Sequence, residues 1–327
     1  MSIIVVTELE YNKAKAVFLT AKGFECIPVS NSEKALADAI HDSGAKHAII
    51  GVDKYTNLLY KALSPGGVIA RLGVGYDGID REKATAAGLY CTNTPGVLDD
   101  SVAEFTITLI LSAARNIITQ ATNCKSGMWK PVIGSELRNK NLTIVGCGPI
   151  GRRVAQIAAF GFQMKVIGCE ILDVDLEQMK KENGFISITK DFGKAVENAD
   201  FISIHIPSNN ATRHFINNER LNLVPAKAWL INTARGAIVD EKALFNALGT
   251  EKLAGAILDV FESEPYMPVS PDEDLRKFEN VILTPHIASS THESSQRAAK
   301  KCLLNIQYAE GGKYQKMDLL NPEVKGA

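Results

Sequence analysis

What this 327-residue chain has little of narrows its chemistry first. Its six cysteines, Cys26, Cys91, Cys124, Cys147, Cys169 and Cys302, are scattered without a CxxC pair or a histidine at ligand spacing. That excludes a disulfide scaffold and a zinc knuckle, and leaves reduced core thiols and no metal as the expectation. Charge of one sign is missing too: 36 Lys and Arg stand against 37 Asp and Glu, a formal net charge of −1. No global field therefore draws the chain toward nucleic acid or an anionic membrane, and neither is expected as a partner. Long apolar runs are absent as well. The longest candidate, residues 105–114, is interrupted by Thr106, Thr108 and Ser112 and suits a buried helix. The opening MSIIVVTELE lacks the basic start and long apolar core of a secretory signal, so a cytoplasmic protein is expected.

What is present is an alternation of short β-rich runs with helical patterns from end to end, the signature of an α/β fold with parallel sheets covered on both faces. A first series of runs lies at 3–6, 25–28, 47–50, 68–72 and 89–92, with helical stretches such as 11–22 and 32–41 between them. A second lies at 142–145, 165–169, 201–205, 229–232, 254–258 and 281–284. Residues 99–126 carry few breakers and are expected to form one helix, capped near Asp99 or Asp100 and leading from one domain into the other. A last helix near 293–310 is too little for a third domain and is expected to return to the first. The expected division is 1–98 with 287–327, and 99–286.

The most informative stretch is LTIVGCGPIGRRVAQIAAFGFQMKVIGCE, residues 142–170. An apolar strand runs into Gly146-Cys-Gly148-Pro149-Ile150-Gly151, then an apolar-periodic segment, then a second strand ending on Glu170, nineteen residues past Gly151. Gly146 suits the tight turn, Gly148 a close backbone approach to a pyrophosphate, and Gly151 close helix packing, with Pro149 pre-set for the first helical turn. The amides and positive end of that helix would face a diphosphate. A carboxylate at Glu170 can accept both ribose hydroxyls and would repel a 2′-phosphate, which favours NAD over NADP; Arg152-Arg153 is the counter-signal.

Four further motifs fall at the carboxyl ends of the second series of strands, where a doubly wound sheet presents its ligand face. They are SIHIPSNNATRHFI (203–216), INTARG (231–236), LDVF with ESEP behind it (258–265) and TPHIAS (284–289). In combination they resemble the NAD-dependent D-isomer-specific 2-hydroxyacid dehydrogenases, the family of phosphoglycerate, glyoxylate/hydroxypyruvate and D-lactate dehydrogenases, from about Arg71 to Pro322. The resemblance implies a Rossmann-type cofactor domain inserted into a flavodoxin-like substrate domain, with an active cleft between two doubly wound parallel sheets, and a homodimer.

The residues can be read beside that resemblance. Reduction of a 2-keto acid needs an anchor for the carboxylate, a proton donor to the carbonyl oxygen and a hydride source. Arg235 suits the first role, because a planar guanidinium forks to a carboxylate. His286 suits the second, because imidazole titrates near neutral pH. Glu264 suits a partner that stabilises the imidazolium and fixes the ring. The family assigns the same roles to these positions. It also implies Asp259 as acceptor from the nicotinamide carboxamide, His205 and Pro207 as the stretch beside the cofactor, and Thr212, Thr233 and Ala234 as cofactor contacts; Thr212 is also read as a cap of the next turn. In the first domain, Arg71-Leu-Gly73-Val74-Gly75 resembles the loop whose amides hold the substrate carboxylate, an anion nest that needs no positive side chain. Arg71 would reach a second anionic group or brace the loop. Four other histidines, His41, His47, His214 and His292, carry no motif and are expected to be structural.

Three departures from the family pattern bear on substrate. Pro149 stands where many relatives have a basic residue and Leu98 where phosphoglycerate dehydrogenases often carry Asn, while the third, Glu264, departs only from the formate dehydrogenase branch, which has Gln there, and so speaks against that branch. The sequence also stops soon after its last helix, so no appended regulatory module is expected. Two other classes stay open at this point: an NAD(H)-sensing corepressor of the same fold, and a Rossmann methyltransferase, which would explain the glycines but not Arg235, Glu264 and His286 together.

Overall fold

The computed structural model describes residues 1–324. The chain forms two compact units, Met1–Leu98 together with the segment that begins at Ser290, and Asp99–Ser289. Each has a parallel sheet and its own apolar cores on both faces of that sheet.

In the first unit the strands are β1 (Ser2–Thr7), β2 (Phe24–Val29), β3 (His47–Ile50), β4 (Val68–Arg71) and β5 (Tyr90–Thr92), ordered β2-β1-β3-β4-β5 and all parallel. This is the flavodoxin-like order, whose switch point lies between β1 and β3. Near-continuous apolar runs are what strands buried on both faces require, and β3 and β4 are buried at every residue. The helix His292–Glu310, started by a Thr291–Ser294 capping box, lays Ala298, Cys302 and Ile306 on the face formed by Ile4, Val68 and Ala70. The expected helix over 11–22 is two short ones, Glu8–Lys13 and Lys15–Leu19, broken at Ala14.

The second unit holds β6 (Asn141–Val145), β7 (Lys165–Cys169), β8 (Phe185–Thr189), β9 (Phe201–Ile204), β10 (Trp229–Asn232), β11 (Gly255–Leu258) and β12 (Val281–Leu283). Their order, β12-β11-β10-β9-β6-β7-β8, contains the dinucleotide-fold arrangement 3-2-1-4-5-6 with one strand added at the far edge. β8 escapes the sequence reading: FISIT is short, edge-lying and half exposed, with a register shift against β7, so its apolar pattern is weak.

The region expected to be one helix over 99–126 is two. Asp99–Ala114 ends at Arg115, Asn116 adopts φ 52°, and Ile117–Lys125 leaves at a bend of 64°. Asn tolerates the left-handed conformation without glycine, so no breaker in the sequence marks the kink. Among the described residues no single helix is long and apolar enough to cross a membrane.

Candidate active site

The second unit gathers most of the motif residues at the carboxyl ends of β6, β7, β9, β10 and β11. At β6 the chain turns through Gly146 into the helix Pro149–Gln156. A Cβ on Gly151 would stand 2.1 Å from the Gly146 carbonyl oxygen, so only glycine lets the helix start this close to the strand. Gly148, by contrast, has no atom within 4 Å of where a Cβ would be. The helix begins without a side-chain cap, and its first amides, those of Ile150 and Gly151, have no intrahelical partner. An open glycine, free amides and the positive helix end fit a diphosphate. Glu170, at the end of β7, accepts from the Cys147 amide at 2.9 Å and from the Leu172 amide at 3.0 Å, so the carboxylate also staples the glycine turn. Arg153 is committed to Asp100 at 2.7 Å.

After β9, His205 places its ring Nε2 2.8 Å from the Ser203 hydroxyl. Burial pushes its pKa down to about 3, so this imidazole is neutral. The Thr212 hydroxyl donates to the Pro207 carbonyl at 2.7 Å and accepts from the Asn209 amide at 2.8 Å. Thr212 thus closes its own loop and caps no further turn; the side-chain cap of the next helix, Asn218–Leu221, is Asn217. Thr233 is buried, with its hydroxyl 3.1 Å from that of Thr106. Ala234 gives its amide to Asn232 at 3.0 Å and takes the Arg235 guanidinium on its carbonyl at 2.6 Å. Thr233 faces inward, and Ala234 is half-buried.

Arg235, Glu264 and His286, from three separate strand ends, come together. His286 Nδ1 lies 2.7 Å from Glu264 Oε2, and Glu264 Oε1 accepts from the Phe261 amide at 3.1 Å. Burial works to raise the Glu264 carboxyl, but it is outweighed. The hydrogen bond and charge of His286, the Phe261 amide and the charge of Arg235 hold it below the usual carboxylate range. Gly236 explains the approach of the Arg235 turn to the Glu264 loop: a Cβ there would lie 1.9 Å from the Phe261 carbonyl. Sequence reasoning passed over this glycine because it is required by a contact across 25 residues and not by a turn.

Asp259 anchors the segment that carries His286. Its side chain is fully buried, and its two oxygens accept from the Thr284 hydroxyl at 2.6 Å, the Ile287 amide at 2.9 Å and the Ala288 amide at 2.8 Å. Its carbonyl takes the His286 amide at 2.8 Å. In the structure Asp259 clamps the loop that presents His286, whose backbone sits at φ 53°. A non-glycine residue held there costs about 1–3 kcal/mol, which such a clamp offsets.

In the first unit, Arg71 takes up the second of its two expected roles. It is buried, its guanidinium donates to the Leu72 carbonyl and packs against Gly73, whose φ is 143°. It braces the loop, while Asn93 holds the Val74 carbonyl at 2.7 Å and the Thr94 amide reaches the Gly73 carbonyl at 3.0 Å. Among the described residues the amides of Val74 and Gly75 make no hydrogen bond.

The sequence model of the D-isomer specific 2-hydroxyacid dehydrogenase NAD binding domain matches residues 107–288. Glyoxylate reductase of Korarchaeum cryptofilum is 36% identical over 299 residues, 90% of this chain and 87% of that protein. Glyoxylate reductase of Thermococcus litoralis is 42% identical over 254 residues, 75% of this chain and 74% of its own. Among solved structures, D-lactate dehydrogenase from Aquifex aeolicus, complexed with NAD and lactic acid, superposes with a TM-score of 0.82 at 26% identity, covering 99% of this chain and 100% of that one. The chain belongs to the D-isomer specific 2-hydroxyacid dehydrogenases, NAD-dependent oxidoreductases that act on CH–OH donors.

Proposed function

We propose that the protein reduces a small 2-keto acid to its D-2-hydroxy acid with His286 as general acid, Glu264 as the partner of His286 and Arg235 as anchor of the substrate carboxylate. The observation that carries this is the 2.7 Å His286–Glu264 contact with the Arg235 charge acting on the same carboxylate. NADH, when bound, supplies the hydride. In the reducing direction His286 gives its proton to the carbonyl oxygen, and Glu264, ionised, stabilises the imidazolium before the transfer and keeps Nδ1 occupied so that Nε2 carries the proton to be delivered. In the oxidising direction the same nitrogen receives it. Arg235, forked to the carboxylate, orients the 2-carbon and draws electron density from the carbonyl. In the first unit the amides of Val74 and Gly75 form a candidate anion nest, which needs no side-chain charge.

Glyoxylate is the first substrate to test, since relatives 36% and 42% identical to this chain bear its name. NADH oxidation against a panel of 2-keto acids, with NADPH alongside, is expected to give turnover with a small side chain and preference for NADH, because Glu170 ends β7 as a carboxylate. Binding of NADH without turnover on any keto acid would remove the catalytic reading and leave a sensor.

We also infer a homodimer. Trp129 and Ile133 are 89% and 96% exposed, with Met128 and Val132 exposed beside them. Such a concentration of apolar surface marks an association site. A monomer by sedimentation at micromolar concentration would rule it out.

A further inference from the structure

The loop that carries Glu264 holds a second histidine–glutamate pair. His214 Nε2 stands 2.8 Å from Glu262 Oε2, and its Nδ1 is 3.9 Å from Asp240. A carboxylate only accepts, so the imidazole Nε2–H donates. Glu262 is tied on its other side. Its Oε1 accepts from the Glu241 amide at 3.2 Å, and its own amide donates to Glu241 Oε1 at 2.7 Å, a reciprocal pair with a glutamate that is 3% exposed. Arg213 Nη2 approaches the same Oε2 at 3.5 Å. The backbone of His214 does something separate: its amide donates to the Ala237 carbonyl at 2.7 Å, in the short turn Gly236–Ile238 that directly follows Arg235.

We propose that His214 is a positioning residue for the keto-acid reduction argued above, on which this inference rests. It ties the turn behind Arg235 to the loop of Glu264, and so sets the separation of the carboxylate anchor from the proton-donor pair. Two features make the link stiff. His214 sits at φ 50°, fixed by the turn that Asn209 and Thr212 close before it, and Gly236 leaves no slack against the Phe261 backbone. Glu262 is two residues from Glu264, so a loop freed at Glu262 shifts the carboxylate that orients His286. Displacements of about 1 Å in such groups cost up to about 10²-fold in rate, because the transition state needs all of them in register.

The test is steady-state NADH oxidation with glyoxylate by H214F, H214Q and E262A, scaled to the folded fraction by NADH titration, with H286A as reference. H214F removes the donor and is expected to lower kcat about tenfold while KM for glyoxylate moves less than about threefold. H214Q, which keeps a donor at nearly the same reach, is expected to stay within about threefold of wild type in kcat. E262A should reproduce the loss and serves if H214F does not fold. Wild-type kcat in H214F or E262A, a change in KM alone, or equal loss in H214Q and H214F would each overturn the proposal. Unimpaired H286A would instead bring down the underlying reading of the site, which separates the two failures.

Discussion

Two imidazole–carboxylate pairs share one short loop at nearly one distance, 2.7 Å for His286–Glu264 and 2.8 Å for His214–Glu262. Their surroundings differ. Glu264 is held by an amide of its own loop and feels Arg235, while His286 stands on a strained backbone clamped by Asp259. Glu262 is bound into the framework reciprocally by Glu241 and approached by Arg213, while Asp240 stands 3.9 Å from the other nitrogen of His214. A histidine beside a glutamate is thus no site in itself. What separates the two is that Glu262 is locked reciprocally to the buried Glu241, whereas Glu264 makes a single bond to its own loop and lies in the field of Arg235.

The comparison breaks most easily at His286. H286A should lower kcat by roughly 10²–10⁴, the usual worth of a positioned general acid, with the folded protein still binding NADH. A loss of that size at His214 and not at His286 would reverse the assignment of the two pairs. Next in size is the clamp. D259N puts an NH₂ where two amides and a hydroxyl now donate, leaving at least one buried donor without an acceptor. A fall in kcat of about 10²-fold is expected from the misplaced His286, with the Kd for NADH nearly unchanged. Loss of NADH affinity as the main effect would assign Asp259 to the cofactor. The tenfold loss expected of H214F stands third.

The smallest effect is on stability, and its sign comes from Glu264. Its folded carboxyl is held below the ordinary value of about 4.3, so the pair stabilises the fold fully above that value and ceases to do so as pH falls through the lowered folded one. Wild type should therefore melt above E264Q near neutral pH, and the two curves should converge only at pH below the usual carboxylate range. A Tm gap that persists at low pH would mean that ionisation of Glu264 has no part in it.

Much of this was legible in the chain because the signals are local. The strand–glycine–helix run ending at Glu170 needs only its own neighbours to take its shape, and INTARG, ESEP and TPHIAS each sit at or shortly after the carboxyl end of a strand of the observed sheet. What the sequence hid is set by distant contacts. His214 finds Glu262 48 residues on, Gly236 is required by Phe261, and Asp259 turns inward because two loop amides have nowhere else to go. The kink at Asn116 and the edge strand β8 were missed for the opposite reason, a weak local signal overridden by packing.

The central claim is that His286 and Glu264 act as one unit, and a double-mutant cycle in kcat tests it most directly. If the glutamate works through the histidine, E264Q combined with H286A should turn over no more slowly than H286A alone, within about twofold. Losses that multiply, so that the double variant is slower than H286A by the full factor of E264Q, would contradict it.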